Sequence, residues 1–145
     1  MTVSTVNLST VGLRLVRIAE RGLAQQIMQG RTREELSPWV GDQLANGQGR
    51  LVWQGKMDIP RWEKNRTART RLDLGPMMAG QPAGAYVLLG QPDDGTPFDP
   101  WNASTSQWIV LTDMALSALR GRDGLTVLAR GLESGKPLPG VKLSL

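Results

Sequence analysis

The sequence contains no cysteine and no histidine. The first absence excludes disulfide staples, thiolate nucleophiles and Cys-ligated zinc or iron–sulfur centres. The second removes the usual general base, the usual zinc ligand and the usual switch near neutral pH. Aromatic residues are scarce, with one Phe, one Tyr and five Trp. No apolar run approaches the roughly 18 residues that a membrane-spanning helix needs. The opening MTVSTVNLST has neither a charged start nor a long apolar stretch, so no secretory leader is visible. The expectation is a cytosolic protein or a piece of something longer. At 145 residues, 40% hydrophobic and 21% charged, the chain has the composition of a folded domain of ordinary size, or of a smaller domain with extra segments. A net charge of +4 is ordinary for such a domain and weak evidence for nucleic acid.

What is present is a succession of short extended runs broken by turns. VSTVNL (3–8) is rich in β-branched residues. In 11–18, Val11, Leu13 and Leu15 alternate with Gly12 and Arg14, and the pattern slips after Val16, which predicts a bulge or a strand end. RLVWQGKMDI (50–59) alternates again, as do residues 67–74, where Ala68, Thr70, Leu72 and Leu74 share one face. AYVLL (85–89) and SQWIVLTD (106–113) read as strands, and GPMMAGQPAG reads as turn. MALSAL (114–119) and LTVLAR (125–130) flank an Asp123-Gly124 pair, a strong hairpin signal. VKLSL at the end looks like the opening of another strand. About eight strands with regular turn signals predict an all-β antiparallel sandwich, with a small barrel as the alternative.

Residues 19–48 break this texture. Leu23 to Met28 predicts a short helix ended by Gly30, and Thr32 with Glu35 fits a capping box that Pro38 would limit. A connection this long is uncommon in a compact domain and suggests a partner contact or a lid.

Few residues offer chemistry. Asp93, Asp94 and Asp99 fall in one loop but lack the spacing of a calcium loop, so a solvated Asp-rich turn explains them. Glu34 and Glu35 suit a helix N-terminus better than a glycosidase pair. Ser134 and Lys136, in a Gly/Pro turn, are a remote nucleophile couple. No phosphate-binding glycine loop is present. The strongest electrostatic feature is Arg61, Lys64, Arg66, Arg69 and Arg71, with Trp62 beside them. It could track a phosphate backbone. Edge arginines that discourage sheet-to-sheet pairing explain it more simply. Asn7, Asn65 and Asn102 begin glycosylation-type triplets, to which no function is assigned. Mid-strand Trp53 and Trp108 are expected in the core between two sheets. Trp39, Trp62 and Trp101, near prolines, are expected to plug loops or to dock a partner.

Several stretches together resemble one family. Ser106 to Leu116, Gly124 to Arg130 and Lys136 to Val141 follow one another in the order and spacing of the N-terminal macroglobulin-like (MG) region of bacterial α-2-macroglobulins. Val6-Asn7-Leu8, Leu51 to Gly55 and Pro82 to Leu88 look like the same region. The resemblance implies an Ig-like sandwich, one of many in a large periplasmic protein of the cell envelope, often lipid-anchored, that traps proteases after bait cleavage. The family's thioester motif, Cys-Leu-Glu-Gln, is absent, no bait region is assignable, and no catalytic residue, metal or cofactor is carried over. The resemblance divides the chain into a core domain at 1–112 and 113–145, either the incomplete opening strands of the next MG domain or an extension packed on the first, and places any leader upstream. The implied role is a non-catalytic interaction module, whose partners are neighbouring MG domains and, for the parent, target proteases. The 19–48 connection and the 91–105 loop are the expected contacts, with Trp39, Phe98 and Trp101 as candidate docking residues. The alternative reading is a small basic β-domain that binds single-stranded nucleic acid through Arg61 to Arg71.

Overall fold

Val16 and Leu15 are adjacent in sequence, yet neither exposes any surface to solvent. Consecutive strand residues point to opposite faces. The strand that carries them must therefore be covered on both sides. The computed structural model describes residues 1–93 and 104–143, in two compact units, Met1–Val110 and Leu111–Leu145.

The first unit contains β1 (Thr2–Val6), β2 (Thr10–Ile18), α1 (Glu20–Met28), α2 (Pro38–Gln43), β3 (Gly49–Asp58), β4 (Thr67–Arg71), α3 (Gly75–Met78), β5 (Gly84–Pro92) and most of β6 (Thr105–Leu111). Its main sheet has the order β3-β2-β5-β6, and β1 pairs with β4 in a separate antiparallel ribbon. Strand β2 is antiparallel to both β3 and β5. On one face Val11, Leu13 and Leu15 stand beside Gly90 and Leu88 of β5. The ribbon lies over this face, with Val3, Ser4 and Thr5 opposite Val11 and Gly90. On the other face Val16, Ile18, Val87 and Leu89 form a cluster with Leu36, Val40 and Leu44 from the connection between β2 and β3.

The two covers are offset along β2, and this explains the slip in the sequence pattern. As far as Leu15 the apolar residues face the ribbon, and from Val16 onward they face the helical connection. A register shift falls at the same point, where Leu15 opposes Trp53 and Val16 opposes Leu51. The extra residue is Val52, on the neighbouring strand. Strand β5 is buried on both faces from Ala85 to Gly90, which is why AYVLL shows no alternation.

The connection is thus a structural layer. Leu36, Val40 and Leu44 are as buried as the sheet, so the lid or partner-contact expectation gives way to a core role for these residues. Its second helix starts differently from the sequence expectation. Thr32 lies in a 3-10 turn (Arg31–Arg33), and no capping box forms there. Ser37 is the N-cap instead: its hydroxyl accepts from the Val40 amide at 3.4 Å, and Pro38 begins α2 where its missing N–H costs nothing. Gly30 does end α1, in the left-handed conformation (φ 71°). After α2 a π-helical turn (Leu44–Gln48) leads into β3. The base of the connection is closed by Ala19, whose amide donates to the Gln48 carbonyl at 3.2 Å.

Other details depart from the sequence reading. Residues 75–78 are helical rather than a simple turn, and Leu74 precedes them in helical conformation, so the strand ends at Arg71. Neither mid-strand tryptophan is fully buried. Trp53 is half-buried, its ring lying where a Cβ on Gly55 would stand. Trp108 is half-buried against the cluster beneath the connection, and its indole N–H donates to the Arg31 carbonyl at 3.1 Å. Both exchanges place a large ring where a smaller neighbour or a free carbonyl leaves room.

In the second unit β7 (Met114–Gly121) and β8 (Gly124–Gly131) form the hairpin that Asp123-Gly124 predicts, with Gly124 at φ 115°. Residues 141–143 are not in a strand.

Candidate functional site

Of the three candidate docking residues, Trp39 stands in the first turn of α2, 49% exposed, while its neighbours Val40 and Gly41 face the sheet. It is fixed from below. A Cβ on Gly41 would come within 2.9 Å of Leu89, so the helix rests on β5 at close range. Arg14 projects from β2 toward the same helix, where its guanidinium is 3.8 Å from the Asp42 carboxylate. Burial pulls the Arg14 guanidinium below its ordinary range, and Asp42 acts in the opposite sense. Phe98 and Trp101 lie outside the described residues, as do Asp94 and Asp99.

The basic segment is exposed throughout. Arg61, Lys64 and Arg66 occupy the link before β4, and Arg69 and Arg71 share the outer face of β4 opposite the inward Ala68 and Thr70. Arg66 is paired with Glu63 at 3.1 Å. Strand β4 is an edge strand of its ribbon, so Arg69 and Arg71 sit where charge discourages further pairing. Trp62 is 48% exposed beside them. The ribbon is closed by the first two triplet asparagines. Asn7 and Asn65 are both left-handed, the Asn65 amide donates to Asn7 Oδ1 at 2.6 Å, and the Asn7 side-chain amide donates to Asn65 Oδ1 at 3.2 Å. Their left-handed backbone is one that Asn tolerates better than most residues.

The remaining chemical candidates are engaged in local structure. Asp93 accepts an ion pair from Lys56 at 2.6 Å. Ser134 Oγ accepts from the backbone amide of Lys136 at 3.3 Å, which makes it part of a turn. Among the described residues no group of three His, Cys, Asp or Glu side chains could hold a metal ion.

One cluster escaped the sequence reading. Arg17 of β2, Arg50 of β3 and Arg21 of α1 line a single groove of about 650 Å³. Arg17 and Arg21 are near in sequence, but Arg50 is distant from both, and only the β2–β3 register brings it to them. No local motif announces them.

The comparisons with known proteins agree with this architecture. The family model for the bacterial alpha-2 macroglobulin MG2 domain matches residues 1–93. Alpha-2-macroglobulin of Escherichia coli K12 is 28% identical over 143 residues, which cover 99% of this chain and 8% of that protein. The chain therefore spans less than a tenth of that relative's length. Among solved structures, native alpha-2-macroglobulin from E. coli spanning domains NIE-MG1 superposes with a TM-score of 0.67 at 24% identity, covering 94% of this chain and 63% of that one. The trypsin-activated form of the same E. coli protein gives 0.66 at 24% identity, covering 92% and 9%. At that identity the structures speak for the fold, an Ig-like MG sandwich. The match over residues 1–93, the sandwich and the relative in E. coli together identify the chain as a member of the bacterial alpha-2-macroglobulin MG domain family.

Proposed function

We propose that this chain is a non-catalytic structural and interaction module of a protease-inhibiting alpha-2-macroglobulin, one that traps proteases after bait cleavage. The observation that carries the reading is the family match over residues 1–93, on a sandwich whose central strands are covered on both faces by the chain itself. Such a body is stiff, and it can transmit displacement between neighbours without taking part in a reaction.

Residues 113–145 are then the opening strands of the following MG domain. Their hairpin turns Met114, Leu116, Ala118, Leu125, Val127 and Ala129 to one face, and Leu116 and Leu125 are more than half exposed there. An isolated two-stranded hairpin is marginal in water, and a second sheet laid on this face would complete it. The parent works in the periplasm, held at the cell envelope, and the partners of this chain are neighbouring MG domains. Trp39 is a contact residue for them.

The test compares the chain alone with its full-length parent. In molar excess over trypsin, the chain alone leaves cleavage of a large protein substrate unchanged and hydrolyses no peptide. The parent co-elutes with trypsin and shields it from large substrates. A parent that leaves trypsin fully active on those substrates, or a chain that inhibits by itself, overturns the reading.

A further inference from the structure

The groove between the ends of β2 and β3 and the start of α1 has an electrostatic arrangement that folding alone would avoid. Arg17 and Arg50 are direct cross-strand partners. Like charges placed opposite one another in this way destabilise a sheet. Arg21 adds a third positive charge in the first turn of α1, where the helix dipole already favours anions over cations. Glu20 is the acidic residue of that turn, but it does not line the groove. The groove walls are Arg17, Arg21, Arg50, Gln25, Gln48 and small or apolar residues, with no carboxylate. Among the described residues, none of the three arginines is in an ion pair.

Two further features point to a ligand. Arg17 is held in place, its Nη2 donating to the Ala83 carbonyl at 3.3 Å. The N-cap of α1 is Ala19, which offers no side-chain acceptor, and the uncapped first turn opens on the groove through Ala19, Arg21 and Gly22. Unpaired guanidinium forks beside free helix N–H groups form an environment for a multiply charged oxyanion, whose oxygens accept from several donors at once.

We propose that the Arg17–Arg21–Arg50 groove binds a phosphate group. The bound phosphate neutralises the cross-strand arginine pair, accepts from the Arg50 and Arg21 guanidinium groups and caps α1. The phosphate is either free or carried on a lipid headgroup. This proposal is independent of the protease-inhibition reading, and neither fails with the other.

The test follows amide chemical shifts of the whole chain during titration with inorganic phosphate, against sodium chloride at matched ionic strength. Saturable shifts centred on Gly22, Gln48 and Gly49 are expected with phosphate, and only small, non-saturating changes with chloride. Arg50→Gln, at an exposed position, should weaken phosphate binding about tenfold. Its melting temperature without phosphate should be equal to or above that of the parent chain, since a like-charge neighbour is gone. Arg21→Gln serves as a second variant, with the same direction expected. Co-sedimentation with phosphatidylglycerol vesicles, against phosphatidylcholine vesicles, separates the sources. Pelleting with the first alone, lost in Arg50→Gln, assigns the lipid headgroup, and phosphate shifts without pelleting assign the free ion. Phosphate and chloride acting alike, or Arg50→Gln and Arg21→Gln both binding as tightly as the parent chain, overturns the proposal.

Discussion

The two faces of the main sheet are covered by different means. On one face the connection between β2 and β3 lays Leu36, Val40 and Leu44 onto Val16, Val87 and Leu89, and the contact is close enough that glycine is needed beneath it. On the other the β1–β4 ribbon stands off the sheet. Two clefts of about 190 and 250 Å³ remain between Val3 to Thr5 and the strands below, and the buried Thr5 hydroxyl has no partner among the described residues. The helical cover contributes branched apolar side chains from a segment free to adjust its path. The ribbon is constrained by strand pairing and by the Asn7–Asn65 clasp, so its side chains reach only as far as the register permits. Close packing is thus achieved where Leu36, Val40 and Leu44 meet the sheet, and among the described residues the ribbon leaves open clefts.

The largest effect should come from the tightly packed face. Leu44→Ala removes a side chain that is 1% exposed and should cost about 2–5 kcal/mol, read as a shift of the urea midpoint at unchanged slope. Val3→Ala, in the ribbon, should cost distinctly less, because Val3 is only half-buried beside an existing cleft. Equal losses would break the comparison. Next in size is Gly49→Ala. The added methyl would meet Val16 at 2.5 Å and the carbonyls of Arg17 and Leu44 at 2.9 Å. Backbone does not yield as a flexible side-chain end does, so about 1–3 kcal/mol of overpacking is expected, measured in the same way. Gly41→Ala, which meets only the end of Leu89, should cost less. The smallest effect sharpens the comparison from the other side. Thr5→Val removes a buried hydroxyl without a partner and should leave stability unchanged or raise it by about 1 kcal/mol. A clear loss would show that the hydroxyl is bonded through water in the cleft.

The strands were largely legible in the sequence, because alternation at Val11, Leu13 and Leu15, the Asp123-Gly124 turn and the β-branched runs all act locally. Of the helical layer, α1 was legible as a short helix from Leu23 ended by Gly30, and the rest only as a break in texture. Leu36, Val40 and Leu44 do bury, and Leu23 packs partly against them, but Gly30, the 3-10 turn and Pro38 interrupt any single helical period. The signal for α2 was present as Ser37-Pro38, an N-cap followed by a residue suited to the first helical position, and the Thr32/Glu35 pair masked it. Trp108 was placed on the right strand with the wrong neighbours, since alternation gives a side but not what covers it. The arginine groove was illegible for a stricter reason. The juxtaposition of Arg17 and Arg50 is a property of register, and the register depends on the extra residue at Val52.

Strands β2 and β3 are adjacent and antiparallel, and the Ala19–Gln48 hydrogen bond joins the two ends of everything between them. In topological terms the whole helical layer is an overgrown hairpin turn. Excising it and splicing in a two-residue reversal would leave every ladder bond of the sheet intact, yet strip the roof from Val16, Val87 and Leu89. Lineages could lengthen, recompose or decorate that roof without touching the order of the strands. What they would have to conserve is the footprint it presses onto the sheet.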